Sequence, residues 1–119
     1  LQVENPIGSC CLMFEITAWD RALYLENFGE LPVADQQDLW TLLRESLNEA
    51  KSHMTNSDTE RLLAAHQLIS ASGSLGLLEA SHYFRMIEQQ KSDTFDAKHA
   101  CDVIDQLLEV VSNQLSELA

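Results

Sequence analysis

The sequence predicts an all-α fold, an antiparallel four-helix bundle with an additional short N-terminal helix. Apolar residues recur at helical spacing along four long segments, which is typical of helices that bury one face. No segment alternates apolar and polar residues as a half-buried strand does, and no Asn-Gly or Asp-Gly hairpin dipeptide occurs. The connections between the segments are short, and short connections favour antiparallel neighbours in a bundle.

The chain divides into an N-terminal arm and one helical domain. Residues 1–13 contain Pro6, Gly8 and an adjacent cysteine pair without a helical period, which indicates a linker or arm. The bundle domain is predicted over residues 14–119, a length sufficient to bury a single core. Because the chain begins with Leu1, we expect it to be one domain of a longer protein.

The first two helices are indicated by their end signals and by apolar spacing. The short N-terminal helix is predicted from Ala18 to Asn27, with Thr17 as its N-cap and Gly29 at its end. The second helix is predicted over residues 34–53. Its inward stripe is Leu39, Leu43, Leu47, Ala50 and Met54, widened by Trp40 and Leu42.

The third helix begins at a capping box, since Ser57 and Glu60 are three residues apart, and it ends near residues 72–75. A fourth helix is predicted over residues 77–90 and a fifth over residues 94–118. The inward stripe of the fourth is Ala80, Phe84 and Ile87, and that of the fifth is Ile104, Leu108, Val111, Leu115 and Leu118.

The composition indicates which classes of partner to exclude and which cellular compartment to expect. The chain has 7 Lys and Arg against 19 Asp and Glu, a formal net charge of −12. Nucleic acid and anionic membrane surfaces both require a basic face, so we expect neither nucleic-acid binding nor direct membrane contact. The three cysteines fit neither a disulfide framework nor a metal-ligand pattern, which indicates a reducing compartment. We expect a cytoplasmic domain, which a longer chain could anchor to a membrane.

His66 lies in the middle of the third helix and is followed by an unusual density of small residues. At 100° per residue, its face is shared by Leu62, Leu63, Ser70 and Gly73, with Ile69 on the flank. An imidazole beside small side chains can be approached closely by another protein. The face therefore suits a histidine that serves a partner better than one in a closed pocket.

The segment from His66 to Gly76 resembles the signature of histidine-containing phosphotransfer (HPt) domains, the relay modules of multistep two-component signalling. That signature runs approximately His-x-Leu-Lys-Gly-Ser/Ala-Ser/Ala-x-x-Leu-Gly, and this chain has His-Gln-Leu-Ile-Ser-Ala-Ser-Gly-Ser-Leu-Gly. It departs at Ile69, where the signature has Lys, and at Ser70, where it has Gly. Residues 14–29 are similar to the first segment of such domains. The chain resembles the C-terminal HPt domain of a hybrid sensor histidine kinase. This resemblance implies a four-helix bundle.

The resemblance implies that His66 is a phosphoacceptor. It would take a phosphoryl group from a receiver-domain aspartyl phosphate and pass it to a response-regulator aspartate. The implied partners are receiver domains of a hybrid sensor kinase or of a response regulator, and Mg²⁺ belongs to the receiver, so no cofactor is implied for this domain. No glycine-rich phosphate loop, HExxH or GxSxG motif occurs, so we expect no independent catalytic site.

Two further sets of residues are expected around His66. Such domains often have a polar residue 22 positions after the His, which hydrogen-bonds the imidazole; here it is Glu88, with Gln89 beside it. A carboxylate there would fix one ring tautomer and leave the other nitrogen exposed. The residues expected to dock a receiver are Leu62, Leu63, Gln67, Ile69, Ser70 and Gly73, unless the two leucines pack into the core.

Other interpretations stay open. Ile69 cannot neutralise a phosphoryl group as the Lys of the signature does, so a cation of the partner could substitute. Alternatively, the chain is a degenerate HPt-like module that docks receivers without carrying phosphate. A helical-bundle enzyme or metal protein would need repeated Glu-x-x-His motifs, and only Glu79 to His82 has this spacing. His66 and Glu88 could also be ordinary solvated residues of two surface helices.

Overall fold

The computed structural model describes residues 16–89 and 94–119. They form five helices: α1 (Arg21–Phe28), α2 (Val33–His53), α3 (Asp58–Ser74), α4 (Leu78–Gln89) and α5 (Ala97–Leu118). α2 packs against both α3 and α5, α4 packs against α3, and α1 touches α3. The predicted all-α fold, a four-helix bundle with a short N-terminal helix, is confirmed, and the described ranges contain no strand. None of their helices combines the length and apolar character that crossing a bilayer requires.

A single apolar core runs through the bundle. Its largest fully buried apolar side chains are Trp40, Phe84, Leu47, Met54, Leu68, Leu77, Ile87, Ile104, Leu107 and Val111. At one end, the Trp40 ring lies 5.9 Å from Trp19 and 5.5 Å from Tyr24, measured between centroids. The Tyr24 hydroxyl donates to the Gln36 amide oxygen at 2.6 Å, so two buried polar groups satisfy each other.

The segment before α1 is bound to the turn between α3 and α4. The Trp19 indole donates to the Leu75 carbonyl oxygen at 2.8 Å, and the Asp20 amide donates to the Gly76 carbonyl oxygen at 2.8 Å. These bonds use backbone carbonyls at the C-terminal end of α3, which have no partner within the helix. The N-terminal segment therefore fixes the turn that leads into α4.

The start of α1 differs from the prediction. The helix begins at Arg21 rather than Ala18, because Asp20 and not Thr17 is its N-cap. The Asp20 carboxylate accepts from the Leu23 amide at 3.0 Å. The predicted end at Gly29 is confirmed.

The start of α5 also differs. It begins at Ala97 rather than Thr94, because the Asp96 carboxylate caps it by accepting from the His99 amide at 3.1 Å. The other described helix ends lie within one residue of the predicted ones. The predicted arm over residues 1–13 and the predicted break after α4 lie outside the described residues.

The inward stripes are confirmed as buried or partly buried, with one exception. Leu42 is 59% exposed, whereas Trp40 is fully buried. Side chains two residues apart on a helix point about 200° apart around its axis, so only one of these two can face the core. The larger aromatic side chain occupies the core.

Candidate functional site

His66 lies on the exposed side of α3, midway along the helix. α3 begins at Ser57, whose hydroxyl accepts from the Glu60 amide at 3.3 Å, as the capping box predicts. Leu68 and Ser72, on the opposite face of α3, are buried. The His66 side chain is 69% exposed, so the imidazole is open to an approaching protein.

A carboxylate from α4 holds one nitrogen of this imidazole. The His66 Nδ1 lies 2.6 Å from the Glu88 Oε2, and the Glu88 side chain is 36% exposed. An ionised carboxylate can only accept, so Nδ1 is the donor in this contact, and the tautomer of the uncharged ring that fits the contact has its lone pair on Nε2. Among the described residues Nε2 has no hydrogen-bond partner. The ring is therefore held by one nitrogen and available at the other.

Of the two residues expected to orient the imidazole, only Glu88 contacts it. Gln89 is exposed and makes no hydrogen bond to His66. Successive residues point about 100° apart on a helix, so one of two neighbours can face α3 while the other faces solvent.

The expected docking residues lie on both sides of His66 rather than in one patch. Leu63 is 57% exposed and, with Gln67, borders a depression between α2 and α3 that is also lined by Ser46, Glu49, His53 and Glu60. Leu62 and Ile69 are half-buried, and Ile69 packs against the core. Ser70 is exposed and Gly73 half-buried. The apolar surface near the imidazole is mainly Leu63.

A contact that the sequence reasoning missed joins α4 to α3 next to the site. The Ser81 hydroxyl donates to the Ile69 carbonyl oxygen at 2.8 Å. Ser81 and Glu88 are seven residues apart and therefore share one face of α4. That spacing is the signal that could have identified Ser81, because Glu88 was already expected to face α3.

The other histidines have different surroundings. His53 is the last residue of α2, and its Nδ1 lies 3.1 Å from the Glu60 Oε1. The same oxygen accepts a hydrogen bond from the side-chain amide of Asn56 at 3.0 Å. His82 and His99 are exposed, and the His99 ring packs edge-on against Tyr83. Within residues 16–89 and 94–119, no group of three or more His, Cys, Asp or Glu side chains converges as a metal site would require.

Comparison with protein families, with curated proteins and with solved structures gave no match to this chain.

Proposed function

We propose that this chain is a phosphorelay intermediate in which His66 carries a phosphoryl group between receiver-domain aspartates. The observation that carries the proposal is the state of the imidazole: Nδ1 is bound to Glu88 and Nε2 is free on a side chain that is 69% exposed. A nucleophile that serves a partner's phosphoryl group needs this combination of a fixed tautomer and an open approach.

The chemistry is a reversible displacement at phosphorus. The Nε2 lone pair attacks the phosphorus of the aspartyl phosphate, the bond from phosphorus to the carboxylate oxygen breaks, and the aspartate leaves with that electron pair. The ring then carries a positive charge, which the Glu88 carboxylate stabilises through the Nδ1 hydrogen. Transfer to a second aspartate reverses these steps and restores the neutral imidazole.

The receiver supplies the remaining parts of the reaction. Its acidic side chains would hold Mg²⁺, and that ion would supply the positive charge that neutralises the transferring phosphoryl group, while this chain contributes the oriented nucleophile. We assign as partners the receiver domains of a hybrid sensor kinase or of a response regulator, and we assign the domain to the cytoplasmic part of such a kinase. The strongly acidic surface favours a receiver with basic residues around its pocket.

A second candidate function is favoured by one residue. Ile69 is half-buried and apolar at the position where the HPt signature has Lys. A chain without that charge could dock receivers and no longer accept phosphate. This alternative keeps the bundle and the surface around Leu63 but assigns no chemistry to His66.

Phosphotransfer from labelled receivers distinguishes the two. A panel of receiver domains, phosphorylated at aspartate, is mixed with the wild-type chain and with His66→Gln. The proposed function requires acid-labile, alkali-stable label on the wild type and none on the variant. A folded wild type that binds a receiver and stays unlabelled would establish the docking module instead.

A further inference from the structure

A phosphoryl group on His66 would enter an unfavourable electrostatic environment. It adds about two negative charges, next to the Glu88 carboxylate and on a chain with a net charge of −12. Ile69, one turn along α3, offers no positive charge. Arg61, the one described cation on α3, is buried and paired with Asp58. Among the described residues, a cation that stabilises the phosphorylated state must therefore come from another helix.

Few described cations are available for this role. Three form ion pairs within the fold, namely Lys51, Arg61 and Lys98. The described cations without a carboxylate partner are Arg21 on α1, Arg44 on α2 and Arg85 on α4. Of these, only Arg85 belongs to the helix that contacts His66.

The register of α3 against α4 brings Arg85 to the level of Ile69. Two contacts define that register: His66 faces Glu88, and a Cβ built on Gly73 would lie 3.3 Å from the Ser81 Oγ. Moving from His66 to Gly73 on α3 thus corresponds to moving from Glu88 back to Ser81 on α4. Ile69 follows His66 by three residues and Arg85 precedes Glu88 by three, so the two lie opposite each other. Along the helix axis Arg85 is about 4.5 Å from Glu88.

Arg85 is also on the correct side of α4. Ser81, Arg85 and Glu88 have i, i+4, i+7 spacing and so share one helix face. Ser81 is buried against α3, Glu88 is partly exposed and Arg85 is exposed. This face of α4 is therefore exposed to solvent at Arg85, on the same side of the α3–α4 contact as the exposed His66.

We propose that Arg85 binds the phosphoryl oxygens of phosphorylated His66, an inference that rests on the proposed function. A guanidinium donates two parallel N–H groups to phosphate oxygens and stays charged at all relevant pH values. Arg85 then supplies from α4 the positive charge that Ile69 cannot supply from α3. The ligand is the covalently attached dianion itself, so the site needs no partner protein to be tested.

The experiment uses phosphoramidate, a small donor that phosphorylates exposed histidines without a receiver. The His66 Nε2 attacks its phosphorus, the phosphorus–nitrogen bond breaks, and the amine leaves as ammonia after taking up a proton. ³¹P NMR follows the phosphohistidine in the wild type, Arg85→Gln and Arg85→Lys, with His66→Gln to assign the signal. Arg44→Gln, an exposed and unpaired arginine on α2, is the matched control.

We expect Arg85→Gln to lower the steady-state level of phosphorylated His66 by about two- to fivefold at low salt, the range of an exposed ion pair. The difference from wild type should vanish near about 1 M salt, where such pairs are screened. Arg85→Lys should retain most of the level, and Arg44→Gln all of it. Adding Ile69→Lys to Arg85→Gln should restore the level, because the two positions are opposite each other.

The outcomes separate the two proposals. A wild type that acquires no signal dependent on His66 overturns the proposed function and this inference with it. A wild type that is phosphorylated at His66, with Arg85→Gln behaving as Arg44→Gln does at low salt, overturns the role of Arg85 and leaves the proposed function standing. Circular dichroism checks that each variant is folded.

Discussion

The Ser81 hydroxyl donates a 2.8 Å hydrogen bond to the Ile69 carbonyl oxygen, and this bond joins α4 to α3 one turn from His66. Ser81 is 8% exposed, so its hydroxyl has little access to water. It also lies next to Gly73, where an added Cβ would come within 3.3 Å of the Ser81 Oγ. The close approach of the two helices at this point sets the register in which Glu88 reaches the imidazole.

A double-mutant cycle tests this close approach. Ser81→Ala should cost about 1 kcal/mol in the free energy of unfolding, the net value of one hydrogen bond. Gly73→Ala gains helix propensity of about 0.5–1 kcal/mol, but in the wild type the bonded hydroxyl cannot move aside. Gly73→Ala should therefore be more favourable in the Ser81→Ala background, by about 0.5–1 kcal/mol. Urea denaturation measures the four stabilities, and strict additivity would contradict the crowded contact.

Glu88 should act on the ring tautomer of His66 more than on stability. In Glu88→Gln an amide oxygen can still accept from Nδ1, whereas Glu88→Ala removes the acceptor. We expect ¹⁵N NMR to detect protonated Nε2 in Glu88→Ala, and phosphorylation by phosphoramidate to fall by about two- to fivefold, the range of an exposed pair. The free energy of unfolding should change by less than about 1 kcal/mol.

Gln89→Ala is the matched control for Glu88, because Gln89 is adjacent and exposed and does not contact the imidazole. Its tautomer and phosphorylation rate should equal those of the wild type. If Glu88→Ala also keeps both, Glu88 has no role in orienting His66.

The parts of the fold that the sequence predicted depend on local periodicity. The inward stripes follow from residue spacing within one helix, which is why Phe84 and Ile87 are buried as expected. The His66–Glu88 contact was also expected, but from the resemblance to HPt domains rather than from spacing within one helix. Its distance of 2.6 Å depends on how α3 and α4 pack.

The parts that were not predicted depend on contacts between elements. Thr17 and Asp20 are both acceptable N-caps by composition, and Asp20 is used where its backbone amide also reaches the Gly76 carbonyl oxygen. Arg85 could not be identified from the sequence, because its proposed role depends on the register of α3 against α4. A pattern within one helix contains no information about which residue of the next helix lies opposite.

Gly76 should tolerate no side chain. Its φ is +92°, and a Cβ there would lie 2.5 Å from the Asp20 carbonyl oxygen, a backbone atom. Gly76→Ala therefore combines backbone strain with a clash, and we expect it to lower the free energy of unfolding by at least about 2 kcal/mol. Ser74→Ala, an exposed change at the last residue of α3, should have little effect on the thermal midpoint. Equal midpoints for the two variants would show that the turn can rearrange.

Tyr83 makes stability depend on alkaline pH. Burial raises the pKa of its phenol to about 12 from an ordinary value of 10.0, and the nearby Asp96 and Cys101 add to the shift. Between these values the unfolded chain has lost the phenolic proton and the folded chain retains it. The unfolded state then binds fewer protons, so the free energy of unfolding falls as pH rises from 10 toward 12.

Tyr83→Phe should therefore reduce the loss of stability at alkaline pH. The pKa of Lys51 is raised by its hydrogen bond to Asp105, so its contribution is present below about 10.5 and is also lost as pH rises. That loss is common to both proteins and cancels in the comparison. Any contact of the Tyr83 hydroxyl that the variant lacks lowers stability equally at pH 7 and at pH 9. We expect urea denaturation from pH 7 to about 11 to give a constant difference in the free energy of unfolding between the two proteins up to pH 9. Above pH 10 the difference should shift in favour of Tyr83→Phe. Parallel curves throughout would mean that the phenol titrates alike in the folded and unfolded states.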